Sequence, residues 1–283
     1  MTRAALDAAV DALRAAGVED PRLDAELLLA EATGWERARL VADPDAEVPP
    51  AAARRFAEMV RRRLRREPVA YITGRRGFRR IELRVDPRVL IPRPETELLV
   101  ELAQELRPSR LLDVGTGSGA IALAVADELP ECEVVATDAS PAALEVARAN
   151  AERLGLADRV AFHAGTLPPG EAGFDLVLAN LPYVSEAEWP GLQPEVTEWE
   201  PREALLAGPD GLDAIRFLLS RRLRPLFRIA EQRTKSASGC VALEVGAGQA
   251  AAVADLVRGA GFAGIEVRGD LAGIERVVMG WVA

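Results

Sequence analysis

A strand that runs into three spaced glycines and out into a helix constrains this chain more than any other feature. Residues 110–114 read as a buried strand; Asp113-Val114-Gly115-Thr116-Gly117-Ser118-Gly119-Ala120 follows, and apolar residues continue at helical spacing through Leu129. Glycines are needed where a backbone must turn sharply and let a ligand lie against it. The spacing satisfies G-x-G-x-G and also the looser dinucleotide pattern, with Ala120 in its last place. Asp138, about 20 residues on, ends the next strand, where a carboxylate can accept both hydroxyls of a ribose. A nicotinamide enzyme would use the same acid in the same way. Loop and acid together therefore indicate an adenosine-containing cofactor without choosing which one.

The surrounding pattern is regular α/β. A helix over residues 95–106 precedes the glycine strand, and a second strand spans 133–137. Ser140 is placed to cap a helix that starts at Pro141 and runs to Leu154. Strands over 159–163 and 174–179 follow, then a helix over 212–223, a strand over 240–245 and a helix over 250–260. Two strand-like pieces, 264–267 and 274–281, close the chain. This alternation predicts an α/β, doubly wound, Rossmann-like sheet, mainly parallel, with an antiparallel C-terminal hairpin. Ahead of it, Leu6, Val10 and Leu13, then Leu23, Leu27 and Leu28, recur at helical spacing, and Pro49-Pro50 opens another helix through Phe56, Val60 and Leu64. Ile81, Leu83 and Val85 alternate with Glu82, Arg84 and Asp86, the period of a strand. The expected division is a small N-terminal helical domain over 1–73, a β-hairpin linker over 74–92 and an α/β domain over 93–283.

Charge is unevenly spread. The net charge of -9 speaks against a nonspecific nucleic-acid binder. Residues 1–53 hold 5 arginines against 11 acidic residues, whereas 54–93 hold 14 arginines against 4. The basic stretch reads either as a solvated arginine-rich face or as a contact surface for an acidic partner or RNA. No apolar run reaches about 18 residues, so no membrane span is expected, and residues 1–10 do not read as a signal peptide. Cys132 and Cys240 lack ligand-like spacing and there is one histidine, which predicts buried free thiols, a reducing cytoplasmic setting and no metal.

Asn180-Leu181-Pro182-Tyr183, about 60 residues beyond the glycine loop, ends the fourth strand of the sheet. An Asn side-chain carbonyl and a backbone carbonyl held by Pro182 can both accept hydrogen bonds from one NH2 group. Tyr183 can stack on a planar substrate. Such a clamp orients an amide or arylamine nitrogen and is of no use for hydride transfer, so the cofactor it implies is a methyl donor, S-adenosyl-L-methionine.

This combination resembles class I methyltransferases, and in particular the HemK-type glutamine N5-methyltransferases that modify peptide chain release factors. Other stretches similar to that family are Pro68-Val69-Ala70-Tyr71-Ile72-Thr73-Gly74, Pro92-Arg93-Pro94-Glu95-Thr96-Glu97, Gly208-Pro209-Asp210-Gly211-Leu212-Asp213 and the terminal run from Asp270 through Val278. The Pro92 to Glu97 run is the most family-specific. Where this chain has Leu181 the family usually has Pro, which puts the shape of the pocket in question.

The resemblance implies a glutamine side-chain amide in the Gly-Gly-Gln loop of a release factor as substrate. Catalysis then rests on placement rather than on a strong base. Asn180, Pro182 and Tyr183 are the expected catalytic residues, with Leu181, Arg93 and Glu95 joining them around the substrate. Gly115, Thr116, Gly117, Ser118, Gly119, Asp138, Gly165, Thr166 and Asn180 are expected to bind the cofactor. The helical domain is expected to dock the release factor, and no stable nucleic-acid partner is foreseen. Rival readings are methylation of adenine in nucleic acid or of a ribosomal-protein glutamine, a noncatalytic adaptor acting through residues 1–93, and a dehydrogenase.

Overall fold

A computed structural model describes residues 1–221, 223–228 and 239–282. In chain order the first elements are α1 (Thr2–Ala15), α2 (Pro21–Thr33), α3 (Arg37–Ala42), α4 (Pro50–Leu64), α5 (Val69–Thr73), β1 (Arg75–Phe78) and β2 (Ile81–Arg84). Then come α6 (Glu97–Leu106), β3 (Arg110–Val114), α7 (Ala120–Glu128), β4 (Glu133–Asp138), α8 (Pro141–Leu154), β5 (Val160–Ala164) and β6 (Leu176–Ala179). The rest are α9 (Pro194–Thr197), α10 (Asp213–Ser220), β7 (Cys240–Glu244), α11 (Ala250–Gly259), β8 (Phe262–Gly269) and β9 (Glu275–Val282). The chain divides into two compact units, Met1–Arg75 with Gln193–Trp199, and Arg76–Leu192 with Glu200–Ala283.

The helical unit buries Leu6, Val10, Leu13, Leu28, Leu29 and Phe56 in one cluster. Pro21 and Pro50 occupy first-turn positions, where a missing N–H costs nothing. Two expectations need correction. Leu23 is 40% exposed, and the buried face of α2 is Ala25, Leu28, Leu29 and Ala32 instead. α3 was not foreseen, because its six residues bury only Leu40 and carry no periodic signal. α9, more than a hundred residues further on, belongs to this unit through charge. Glu195 accepts hydrogen bonds from Arg66 at 2.7 and 2.6 Å and pairs with Arg63 at 2.6 Å, while Arg63 Nε reaches Asp24 at 2.7 Å.

The larger unit is built on a seven-stranded sheet of order β5-β4-β3-β6-β7-β9-β8. Strands β5 through β7 pair in parallel, and β9 runs antiparallel to both β7 and β8. A parallel sheet covered on both faces needs strands apolar on both faces, and Leu111, Leu112, Val177 and Leu178 are all fully buried. Leu111 and Leu178 pack with α6 and α7, whereas Leu112 and Val177 pack with α10 and α11. The Ser140 hydroxyl accepts from the Ala143 N–H at 3.2 Å and so caps α8 where the sequence places the cap.

The β1–β2 hairpin, read from sequence as a linker, buries Phe78, Ile81 and Leu83 in the core of the larger unit. Fully buried Asn150 fixes it there, accepting from the Arg84 N–H at 2.7 Å and donating to the carbonyls of Arg84 and Ser118, each at 3.0 Å. The helix expected over 212–223 is shorter, ending at Ser220, and Arg222 lies outside the described residues. β8 is longer than expected because register shifts interrupt its pairing with β9 and obscure its period. Much of the basic stretch is satisfied within its own unit. Arg62 pairs with Glu67, Arg75 with Glu31, Arg79 with Glu101 and Glu128, and Arg88 with Asp86 and Glu145. No helix among the described residues is long and apolar enough to cross a membrane. Both cysteines are buried and free.

Candidate active site

Strand order reverses between β3 and β6, and the connections that follow them diverge and leave a crevice at their carboxyl ends. A cavity of about 500 Å³ opens there. Gly115 and Gly117 line it after β3, Asp138 at the end of β4, Gly165 and Thr166 after β5, and Asn180, Leu181 and Pro182 after β6. These are eight of the residues singled out from sequence. Thr116, Ser118 and Gly119 are buried behind the loop, and Tyr183, Arg93 and Glu95 do not line the cavity.

The loop is held from β4. The Gly115 and Thr116 N–H groups both donate to the Thr137 carbonyl at 2.9 Å, and the Gly117 N–H donates to Asp138 Oδ2 at 2.9 Å. Gly117 has φ +57°, and a Cβ built on it meets nothing within 4 Å, so its bare face is open space against the cavity. A Cβ on Gly115 would come within 3.0 Å of Leu181 Cδ2, so the unusual clamp residue packs directly on the glycine loop.

The second oxygen of Asp138 accepts the Ser140 N–H at 2.8 Å. Burial raises the Asp138 carboxyl above its ordinary value, and the two backbone N–H groups pull it back. Each oxygen keeps a further acceptor site, which suits a pair of ribose hydroxyls. Beneath the loop, burial pushes Asp113 up to about 7, opposed by Thr116 and the Ala122 N–H. The open glycine face and the two-acceptor carboxylate fit an adenosine-containing cofactor. No group of three or more potential metal ligands occurs among the described residues.

On the clamp side, Asn180 Nδ2 donates to Thr96 Oγ1 at 2.9 Å. The carbonyl of Tyr183 accepts from Gln249 Nε2 at 2.9 Å, and Gln249 Oε1 in turn accepts the Gly246 N–H at 2.9 Å. Gly211, φ +76°, leaves room for this: a Cβ there would fall 2.2 Å from the Tyr183 carbonyl oxygen. Burial, then the nearby Glu244 carboxylate, push the Tyr183 phenol up to about 12, so it stays protonated. Arg93 binds the buried Glu200 carboxylate, whose other oxygen accepts the Ile91 N–H at 3.0 Å.

Sequence reasoning missed Arg88, Val89 and Leu90 and, opposite in sequence, Pro201, Glu203 and Ala204 as lining of the cavity. Arg88, Val89, Leu90 and Pro201 lie outside regular elements, and Glu203 and Ala204 lie in a single three-residue 3-10 turn, too short to show a period. It also missed the bond between Thr96 and Asn180, the bond between Gln249 and the Tyr183 carbonyl, and the burial of Glu244. One signal existed for Glu244, a carboxylate ending a strand whose other residues are all apolar.

The sheet order, together with the family matches that follow, defines a class I methyltransferase, an enzyme whose cofactor is S-adenosylmethionine. The fold agrees with solved structures. The hMettl16 catalytic domain in complex with an MAT2A 3′UTR hairpin superposes with TM-score 0.55 at 16% identity, over 71% of this chain and 75% of that one. A methyltransferase from Pyrococcus furiosus gives 0.50 at 18% identity, over 70% and 87%. Residues 4–74 match the family model described as PrmC N-terminal domain, and residues 94–191 that described as Methyltransferase small domain. The release factor glutamine methyltransferase of Moorella thermoacetica is 45% identical over 99% of this chain and 98% of its own length. That of Caulobacter vibrioides is 42% identical over 96% and 93%. The chain belongs to the release factor glutamine methyltransferase family.

Proposed function

We propose that this protein methylates the side-chain amide nitrogen, N5, of the glutamine in the Gly-Gly-Gln loop of peptide chain release factors. The observation that carries this reading is the Asn180 amide. One N–H of its NH2 goes to Thr96, which anchors the NH2 end and leaves its carbonyl, beside Pro182 in the cavity that also holds Asp138, as an acceptor. An amide NH2 offers two donors, and Asn180 Oδ1 with the Pro182 carbonyl accepts both. S-adenosylmethionine supplies a methyl group already activated on a sulfonium. Gly115 and Gly117 receive the methionine part, Asp138 the ribose, and Gly165 and Thr166 flank the adenine. Thr116, Ser118 and Gly119 serve by shaping the loop.

The two carbonyl acceptors hold the nitrogen in place and spread the positive charge that develops on it. Tyr183 borders the planar amide, and Arg93 and Glu95 shape the approach. No base is required, since the proton leaves to water after transfer. His163, on β5 and 3.9 Å from Glu171, does not line the cavity.

The helical unit docks the body of the release factor, supported by its distinct charge balance and by the exposed arginines Arg54 and Arg61 on α4 and Arg65 just after it. The protein works in the cytoplasm and holds no nucleic acid stably. The test is mass spectrometry of purified release factor, its loop peptide and DNA after incubation with S-adenosylmethionine. A methyl group on the loop glutamine is expected. Methylation of DNA alone would overturn the reading in favour of an adenine enzyme.

A further inference from the structure

Thr96 closes the Pro-Arg-Pro-Glu-Thr run, and neither cofactor binding nor the clamp accounts for it. It is 4% exposed and stands 84 positions from Asn180, yet its hydroxyl oxygen accepts one N–H of the Asn180 NH2. A hydroxyl has one proton to give and two lone pairs with which to accept. The acceptor beside it is Glu244 at the end of β7, 2% exposed, whose Oε2 has no hydrogen-bond partner and whose carboxyl the nearby Thr96 hydroxyl draws down against burial. An ionised carboxylate only accepts, so its unpartnered oxygen is the natural taker of the Thr96 proton, which leaves Oγ1 to accept from Asn180. Only the NH2 end of Asn180 can then face it. Turning the amide over would set Oδ1 against the Oγ1 lone pairs, in a place where water cannot relieve the mismatch.

We infer that Thr96 is a specificity-determining positioning residue: it fixes which end of the Asn180 amide meets the substrate, and so makes the clamp accept an NH2 donor and reject a carboxylate. Without it the amide is free to invert, and an inverted Asn180 offers N–H groups that suit a glutamate as well as a glutamine. The inference rests on the glutamine reading above and explains how that site tells the amide from its acid.

The test compares two release factors, one with glutamine and one with glutamate in the loop, as ligands for the full chain by calorimetry, beside methyl transfer to the glutamine form. The wild type is expected to bind the glutamine form more tightly. Thr96→Val should narrow that preference roughly tenfold and lower kcat by a similar factor, the scale of one buried hydrogen bond. Thr96→Ser, which restores the hydroxyl, should recover most of both. Thr96→Ala removes the hydroxyl without apolar bulk and gives the same readout if the valine variant folds poorly. A wild-type preference retained in the variants lacking the hydroxyl overturns the inference. A wild type that neither binds nor methylates release factor instead overturns the glutamine reading.

Discussion

The side-chain amide of Gln249 bridges two strand ends, donating to the Tyr183 carbonyl oxygen at 2.9 Å and accepting the Gly246 N–H at the same distance. The bond to Tyr183 spans 66 positions of sequence and fixes the backbone that follows Pro182. Gln249→Ala should therefore lower kcat about tenfold while leaving cofactor affinity within about twofold, because it frees the clamp and not the glycine loop. Steady-state kinetics with release factor, beside calorimetry with S-adenosylhomocysteine, separate the two. An equal loss in both would show that Gln249 supports the whole fold instead.

Asp138 takes one backbone N–H on each oxygen and keeps room for two more donors. Asp138→Asn replaces one acceptor oxygen by a donor and removes the charge. Cofactor affinity should weaken by roughly 10- to 100-fold, as expected for hydrogen bonds to a charged group. Calorimetry is again the measurement, and an unchanged Kd would remove Asp138 from the cofactor site.

Burial pushes Glu244 up to about 7, against the Thr96 hydroxyl, with Glu95 adding to the rise and Arg276 and Arg93 opposing it. Below that pH the carboxyl is neutral and can itself donate to Thr96, so the acceptor role of Oγ1 toward Asn180 weakens. Activity should rise with pH through about 7 and level off above it. In Thr96→Val this limb should be lost, since the hydroxyl that reads the charge is gone. A pH profile of kcat at saturating substrates checks it; an identical limb in the variant would assign the titration elsewhere, with buried Asp113 the alternative carboxyl at about 7.

Glu195 carries two arginines. Although burial alone would raise it, hydrogen bonds from Arg66 and Arg63 hold its carboxyl below the usual range. Glu195→Ala leaves Arg66 and Arg63 without it, and removing one partner of a largely buried ion pair costs about 3 kcal/mol. Chemical denaturation should show a loss of that order in the helical unit. A change within about 0.5 kcal/mol would mean that solvent already screens the pair.

What could be read from the sequence follows the range of each interaction. β3 and its glycine loop, the Ser140–Pro141 helix start and the strand before Asn180 are encoded by neighbours a few residues apart, and they stand where the local pattern puts them. Asn180, Pro182 and Asp138 were visible because the ends of parallel strands meet at the switch point. Thr96, Gln249 and Glu244 were not, because each matters through a residue on a distant element. Leu23 was misplaced because leucines on two sides of α2 fit more than one helical stripe. The arginine-rich stretch read as surface, yet many of its guanidinium groups meet carboxylates far away in sequence, as Arg79 does with Glu128.

The excursion of Gln193–Trp199 makes the helical unit a thing assembled from two strips of chain. No single cut frees it: a fragment stopping near residue 75 keeps Arg63 and Arg66 but loses the Glu195 that neutralises them. Recombination at one junction, the simplest way genes trade parts, would transplant an incomplete object. A chimera exchanging docking regions between relatives must carry the short strip along with the long one, and the residues that flank the strip, Leu192 and Glu200, belong to the larger unit. The chain thus passes between the two units at three junctions, and they are expected to be inherited together.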